Sequence, residues 1–162
     1  MKGEAPTRLG LAQGNEDESE ESIDDNDIIV HHGDSVTEKK STFQAHVATV
    51  KSKDDTGKVM AKLLANKKIK KATHNISAYR FFDEAKNCWI SDNDDDGETG
   101  AGQKLASLLE LIDAKDVIVI VSRWFGGVLL GPARFRYINN VARELLEEKG
   151  YSNRSKTAKH KH

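Results

Sequence analysis

Apolar side chains recur along this chain with two different periods, and the changes between them mark out its elements. Alternation through Phe43, Ala45 and Val47 puts all three on one face of a strand over 43–50. Asp27–His32 reads as a shorter strand before it. A helical period then begins: Val59, Met60, Leu63 and Leu64 form one stripe, predicting a helix over 56–66 with Asp54 and Asp55 as its cap. Ala78–Phe82 and Cys88–Ile90 flank the polar stretch Asp83–Asn87, the pattern of a hairpin. Leu105, Leu108, Leu109 and Ile112 return to helical spacing. Val117–Val121 is apolar at every position, as a buried strand is. Gly131-Pro132 opens a last helix, where proline suits the first turn. Its core face is Phe135, Ile138, Val141, Ala142, Leu145 and Leu146, and Gly150 stands where a helix stops.

The order is therefore strand, strand, helix, hairpin, helix, strand, helix. It predicts an α+β protein, a two-layer sandwich with helices on one face of a mixed sheet. The hairpin in the middle argues against a purely parallel, doubly wound sheet. The ordered domain is expected over 27–151. Residues 1–26 have few large apolar side chains and read as a disordered acidic tail, and 152–162 as a disordered basic tail.

Composition narrows the setting. The chain has 162 residues, is 37% hydrophobic and 31% charged, and carries a net charge of -1, which argues against a dedicated nucleic-acid binder. No apolar run reaches the roughly 20 residues of a membrane span, and no apolar signal-peptide core is present at the start. Cys88 is the sole cysteine, so a reducing, cytoplasmic setting without disulfides is expected. The charges are segregated. Acids crowd 16–27 and Asp92–Glu98, while Lys67, Lys68, Lys70 and Lys71 form a basic cluster.

Two loops carry the candidate chemistry. Asp94-Asp95-Asp96-Gly97-Glu98-Thr99-Gly100 places several carboxylates close together. Such a loop can hold a divalent cation, supply an acid/base pair, or hold a basic group. It matches neither an EF-hand nor a P-loop. Arg123-Trp124-Phe125-Gly126-Gly127, running on to Gly131, leaves the apolar strand. Arg123 within reach of Asp95, Asp96 or Glu98 would tie the two loops together. Trp124 and Phe125 fit core or rim packing or, if exposed beside Arg123, stacking on nucleotides. His74 is a third polar point, and it lacks the companion ligands of a zinc site. No nucleophile elbow is present, Cys88 is a poor nucleophile candidate between Asn87 and Trp89, and no cofactor is expected.

Several motifs in register carry a resemblance. They are Ser41–His46, Ala72–Tyr79, Asp95–Glu98, Arg123–Pro132 and Ile138-Asn139-Asn140. Over about 35–151 the chain resembles the IMPACT family, which includes the yeast homologue of IMPACT and the bacterial YigZ proteins. The resemblance implies a fold like domain 2 of ribosomal protein S5. It implies translational control in which the amino-acid-starvation kinase of initiation factor 2 alpha is restrained by competition for its ribosome-associated activator. Binding to monomeric actin and association with ribosomes are implied too, and no catalytic activity. Eukaryotic members usually carry an RWD domain implicated in activator contact, whereas an acidic stretch precedes the resembling region here. The expectation is a fragment or shortened homologue in which actin or ribosome contact is less affected than activator contact.

Three functions follow as expectations. The first is a non-enzymatic regulatory binding module. The second is an RNA- or ribosome-binding module using Lys67, Lys68, Lys70, Lys71 and Arg123. The third is an enzyme built on Asp95, Asp96 and Glu98, with Arg123 and His74.

Overall fold

The all-apolar run becomes the centre of a sheet. In the computed structural model, which describes residues 27–152, Val117–Trp124 forms β6, flanked by β3 (Ser41–Thr49) and β4 (His74–Asp83). The remaining strands are β1 (His31–His32), β2 (Val36–Glu38) and β5 (Cys88–Asp94), and the strand order is β1-β3-β6-β4-β5, with β2 also paired to β3. The helices are α1 (Lys53–Leu64), α2 (Lys67–Lys70), α3 (Ala101–Leu111) and α4 (Ala133–Glu148). The tails expected at 1–26 and 152–162 lie outside the described residues, apart from Ser152, which is buried.

The predicted α+β architecture is present, and the structure adds two details. Every pairing between described strands is antiparallel. Helices also cover both faces of the sheet rather than one. Val117, Val119 and Val121 pack with Phe43, Ala45 and Val47 against Leu105, Leu109, Ile138 and Leu145 of α3 and α4. Ile118 and Ile120, pointing the other way, pack with Ala48 and Phe81 against Val59, Leu63 and Ile69 of α1 and α2. A strand apolar at every position has two faces to cover, because successive side chains point to opposite sides. Each of these buried aliphatic side chains contributes about 1.5–3 kcal/mol relative to exposure.

The hairpin appears as expected, with strands longer than the apolar segments alone indicated. The strand expected at 27–32 is reduced to the two-residue β1, while Ile28 is buried under α1. α1 is capped by Ser52, not by Asp54 or Asp55. The Ser52 hydroxyl accepts from the Asp55 amide, and the Asp55 carboxylate accepts from the Lys51 amide, a variant of the capping box. α4 ends as predicted. Gly150 takes φ +82°, and the amides of Gly150 and Tyr151 bond back to Glu147 and Leu146, closing a Schellman turn.

Candidate functional site

Consecutive side chains at the end of β6 point to opposite faces, and each begins a buried polar network. Arg123 faces α3 and α4, opposite Phe43 on β3 and His74 on β4. It is 4% exposed, and its partner Glu98 is 6% exposed. Arg123 Nη1 donates to Glu98 Oε2 at 2.5 Å, and Nη2 donates to Ser41 Oγ at 3.3 Å. Arg134, at the start of α4, donates from Nε to the other Glu98 oxygen at 2.9 Å. One carboxylate thus joins β6, the acidic loop and α4. The predicted joint exists, and it is made by Glu98 rather than by Asp95 or Asp96.

The other acids of the loop spend their oxygens on backbone amides. Asp95 accepts from Gly100 and Gly102 and so caps the entry to α3, whose own cap residue, Gly100, makes no side-chain cap bond. Asp96 accepts from the Asn75 amide, and its carbonyl lies 2.8 Å from His74 Nδ1. Since a carbonyl only accepts, His74 carries its proton on Nδ1. The acidic loop is therefore a brace between β4 and α3. Among the described residues, no group of three or more His, Cys, Asp or Glu side chains is placed to hold a metal ion.

The signature divides by exposure. Trp124 turns toward α2, where its indole N–H donates to the Lys68 carbonyl at 3.1 Å and Lys68 Nζ lies 5.4 Å from the ring centroid. The Phe125 amide donates to Thr73 Oγ1, leaving the ring 45% exposed. A side chain on Gly126 would lie 1.8 Å from the Lys40 carbonyl oxygen, so glycine is required there. Gly97, Gly127 and Gly131 all hold positive φ. Beyond them Val128 is 38% and Leu129 85% exposed.

A pocket of about 400 Å³ opens beside this turn. Thr73, His74, Glu98, Arg123, Phe125 and Arg134 line it with Leu129, Leu130 and Gly131. The candidate residues Arg123, Glu98, His74, Phe125 and Gly131 therefore meet at one place. Asp95 and Asp96 brace it from behind. Lys67, Lys68, Lys70 and Lys71 do not join it: they stand exposed on and after α2, on the far side of Trp124.

Arg134 was not singled out from the sequence, and Ser41 and Leu129, though inside quoted motifs, were not named as site residues. Arg134 carries a readable signal, because a cation in the first turn of a helix opposes the helix dipole and so asks for a nearby carboxylate.

The second network, on the other face, was not anticipated. Asn75 Nδ2 donates to the Ile69 carbonyl at 3.0 Å, which leaves Asn75 Oδ1 to accept from the Ser122 hydroxyl at 2.6 Å. Ser122 Oγ then accepts from His46 Nε2 at 3.0 Å, and His46 Nδ1 accepts from His32 Nδ1 at 2.8 Å. Burial, followed by the neighbouring His32, lowers the His46 pKa to about 3. His46 and Ser122 are fully buried, and this chain of bonds pins α2 and β1 to the sheet, meeting solvent at its exposed end, His32.

Comparisons with known proteins agree with this geometry. The model of the Impact N-terminal domain matches residues 39–146, which include both networks except His32. Protein IMPACT of Rattus norvegicus is 53% identical over 124 residues, covering 76% of this chain and 39% of the relative. Protein IMPACT-B of Xenopus tropicalis is 46% identical over 145 residues, covering 89% of this chain and 46% of the relative. The chain thus spans less than half the length of these relatives. Among solved structures, the two-domain translational regulator Yih1 is 40% identical with a TM-score of 0.52, covering 74% of this chain and 46% of that one. A protein described only as hypothetical is 20% identical with a TM-score of 0.61, covering 71% of this chain and 56% of the other, and shares the fold. With two thirds of its length inside the domain model and relatives at about half identity, this chain belongs to the IMPACT family.

Proposed function

We propose that this chain is a protein-binding module of translational control and not a catalyst. The observation that carries the reading is its 40% identity to Yih1, described as a translational regulator, over 74% of the chain. The geometry supports it. Both terminal nitrogens of Arg123 and the Glu98 carboxylate are engaged in holding loops together, while Phe125, Val128 and Leu129 are left facing solvent. Exposed apolar side chains grouped on one rim mark a protein-interaction surface rather than a reaction centre. In the finer form of the proposal, the chain restrains the starvation kinase of initiation factor 2 alpha by competing for its ribosome-associated activator, and it also binds actin.

The test is capture of the activator and of monomeric actin on the immobilised, folded chain, with Leu129→Ser as the comparison. Retention by the parent chain and loss with the variant are expected. Retention of neither, by a folded sample, overturns the reading.

One observation favours a second reading. Lys67, Lys68, Lys70 and Lys71 are exposed together on one short segment, as a phosphate-binding patch would be. RNA affinity falling steeply with salt would support that reading, and no binding at low salt would remove it.

A further inference from the structure

We propose that the pocket beside the Arg123–Glu98 joint receives an extended peptide segment of a protein partner, one that presents an acidic residue next to apolar ones. Four observations carry this.

The first is charge. Arg123 and Arg134 converge on the single carboxylate of Glu98, so the pocket wall keeps one formal positive charge in excess. A buried arginine sharing its counter-ion with a second arginine is under-compensated, and an arriving carboxylate supplies what is missing. The second is an unfilled donor. Arg123 Nε is buried and has no hydrogen-bond partner, although Nη1 and Nη2 are both engaged. Leaving such a donor unpaired costs about 1–3 kcal/mol, which a small local shift toward a ligand oxygen would recover.

The third is the apolar surface around the charge. Phe125, Leu129 and Leu130 line the pocket, and Val128 continues the exposed surface beyond it. A small anionic metabolite would leave Val128 and most of Leu129 in water. A segment carrying alternating acidic and apolar side chains covers them while placing a carboxylate at the arginines, because side chains on an extended strand alternate direction. The fourth is a strained cationic turn. Lys39 and Lys40 form the two-residue turn between β2 and β3, with φ +46° and +73°. Glycine or asparagine would relax these positions, and lysine there costs on the order of 1 kcal/mol each. The Lys40 backbone packs directly on Gly126, so the turn sets two exposed cations beside the exposed apolar rim. Two exposed cations held at that place fit an acidic partner.

The inference deepens the reading of this chain as a protein-binding module and names the chemistry of its partner. It is tested without the activator or actin, so the two can fail separately. The probe is a short capped peptide of alternating leucine and glutamate, titrated into the full isotope-labelled chain and followed by amide shifts and calorimetry. Two controls replace every glutamate by glutamine or every leucine by serine, and a third titration uses a single-stranded oligouridylate. The expected result is saturable shifts at Thr73, Phe125, Leu129 and Arg134 with the leucine–glutamate peptide, weakening as salt is raised. Each control peptide binds at least about tenfold more weakly. Leu129→Ser and Lys40→Gln, both changes at exposed side chains, each lower the affinity while leaving the unfolding midpoint in place. Arg134→Gln lowers it further. Equal binding of all three peptides, shifts confined to other surfaces, or oligouridylate binding at these same residues overturns the proposal. So does unchanged affinity in both Leu129→Ser and Lys40→Gln.

Discussion

Ser122 and Arg123 are neighbours in sequence and opposites in chemistry. Ser122 enters a chain of hydrogen bonds running from His32 at the surface to the Ile69 carbonyl, with His46, Ser122 and Asn75 buried between the sheet and α2. Arg123 enters a charged cluster at the edge of the other layer, where a pocket opens. Uncharged polar side chains such as His46, Ser122 and Asn75 can be buried because each donor meets an acceptor and no ion needs solvation. A cluster of two cations and one anion does not balance itself, and it sits where water or a ligand can approach. The balanced network locks the fold, and the unbalanced one leaves a site.

That contrast can be broken in four ways, from the largest expected effect to the smallest. Glu98→Ala removes the only anion from between two guanidinium groups. Unfolding by denaturant is expected to show a loss of about 3–5 kcal/mol, because Arg123 would remain buried without a counter-charge. A loss under about 1 kcal/mol would mean that the cluster is already solvated.

Ser122→Ala strikes the neutral network. It leaves His46 Nε2 and Asn75 Oδ1 without their shared partner and is expected to cost about 1–3 kcal/mol, with little change at the pocket residues in amide spectra. Shifts spreading to Phe125 and Arg134 would show that the two networks are coupled across the strand.

Acid sharpens the comparison further. The folded-state pKa of His46 is about 3, below its usual 6.5, so between those values the unfolded chain binds a proton that the native state refuses. Its contribution is therefore fully present above pH 6.5 and is lost as pH falls toward 3. The expected slope approaches about 1.4 kcal/mol per pH unit, measured as the denaturation free energy of the parent against His46→Gln. Parallel pH profiles for the two proteins would remove His46 as the cause.

Leu129→Ser should be silent in the same assay, within about 0.5 kcal/mol, because the side chain is 85% exposed. An effect of several kcal/mol would make the rim part of the fold rather than a surface for a partner.

Much of the fold was legible because periodicity records burial. The stripes of α3 and α4 and the alternation in β3 each marked a face that must be covered. The two-sided cover of β6 was encoded in Val117–Val121 as well, since alternate members of that run pack against different helix pairs. The joint between the acidic loop and Arg123 was legible as a charge that needed a partner. Which acid would meet it was not. Asp95, Asp96 and Glu98 all offer a carboxylate, and which one is free to meet Arg123 is settled by amides of β4 and α3 that engage the two aspartates. The His46 chain escaped notice because its members fall on five separate elements and share no spacing.

The residues alone determined the longer elements and their apolar stripes, the glycine turn after β6 and the family resemblance, all of which depend on local pattern and order, while the short β2 and α2 went unread. Tertiary structure decided the rest. It set Glu98 between two arginines, left Arg123 Nε without a partner, and put Leu129 outside beside a pocket. The reason is physical: a side chain's identity specifies what partner it needs, and only the packed chain specifies whether that partner arrives.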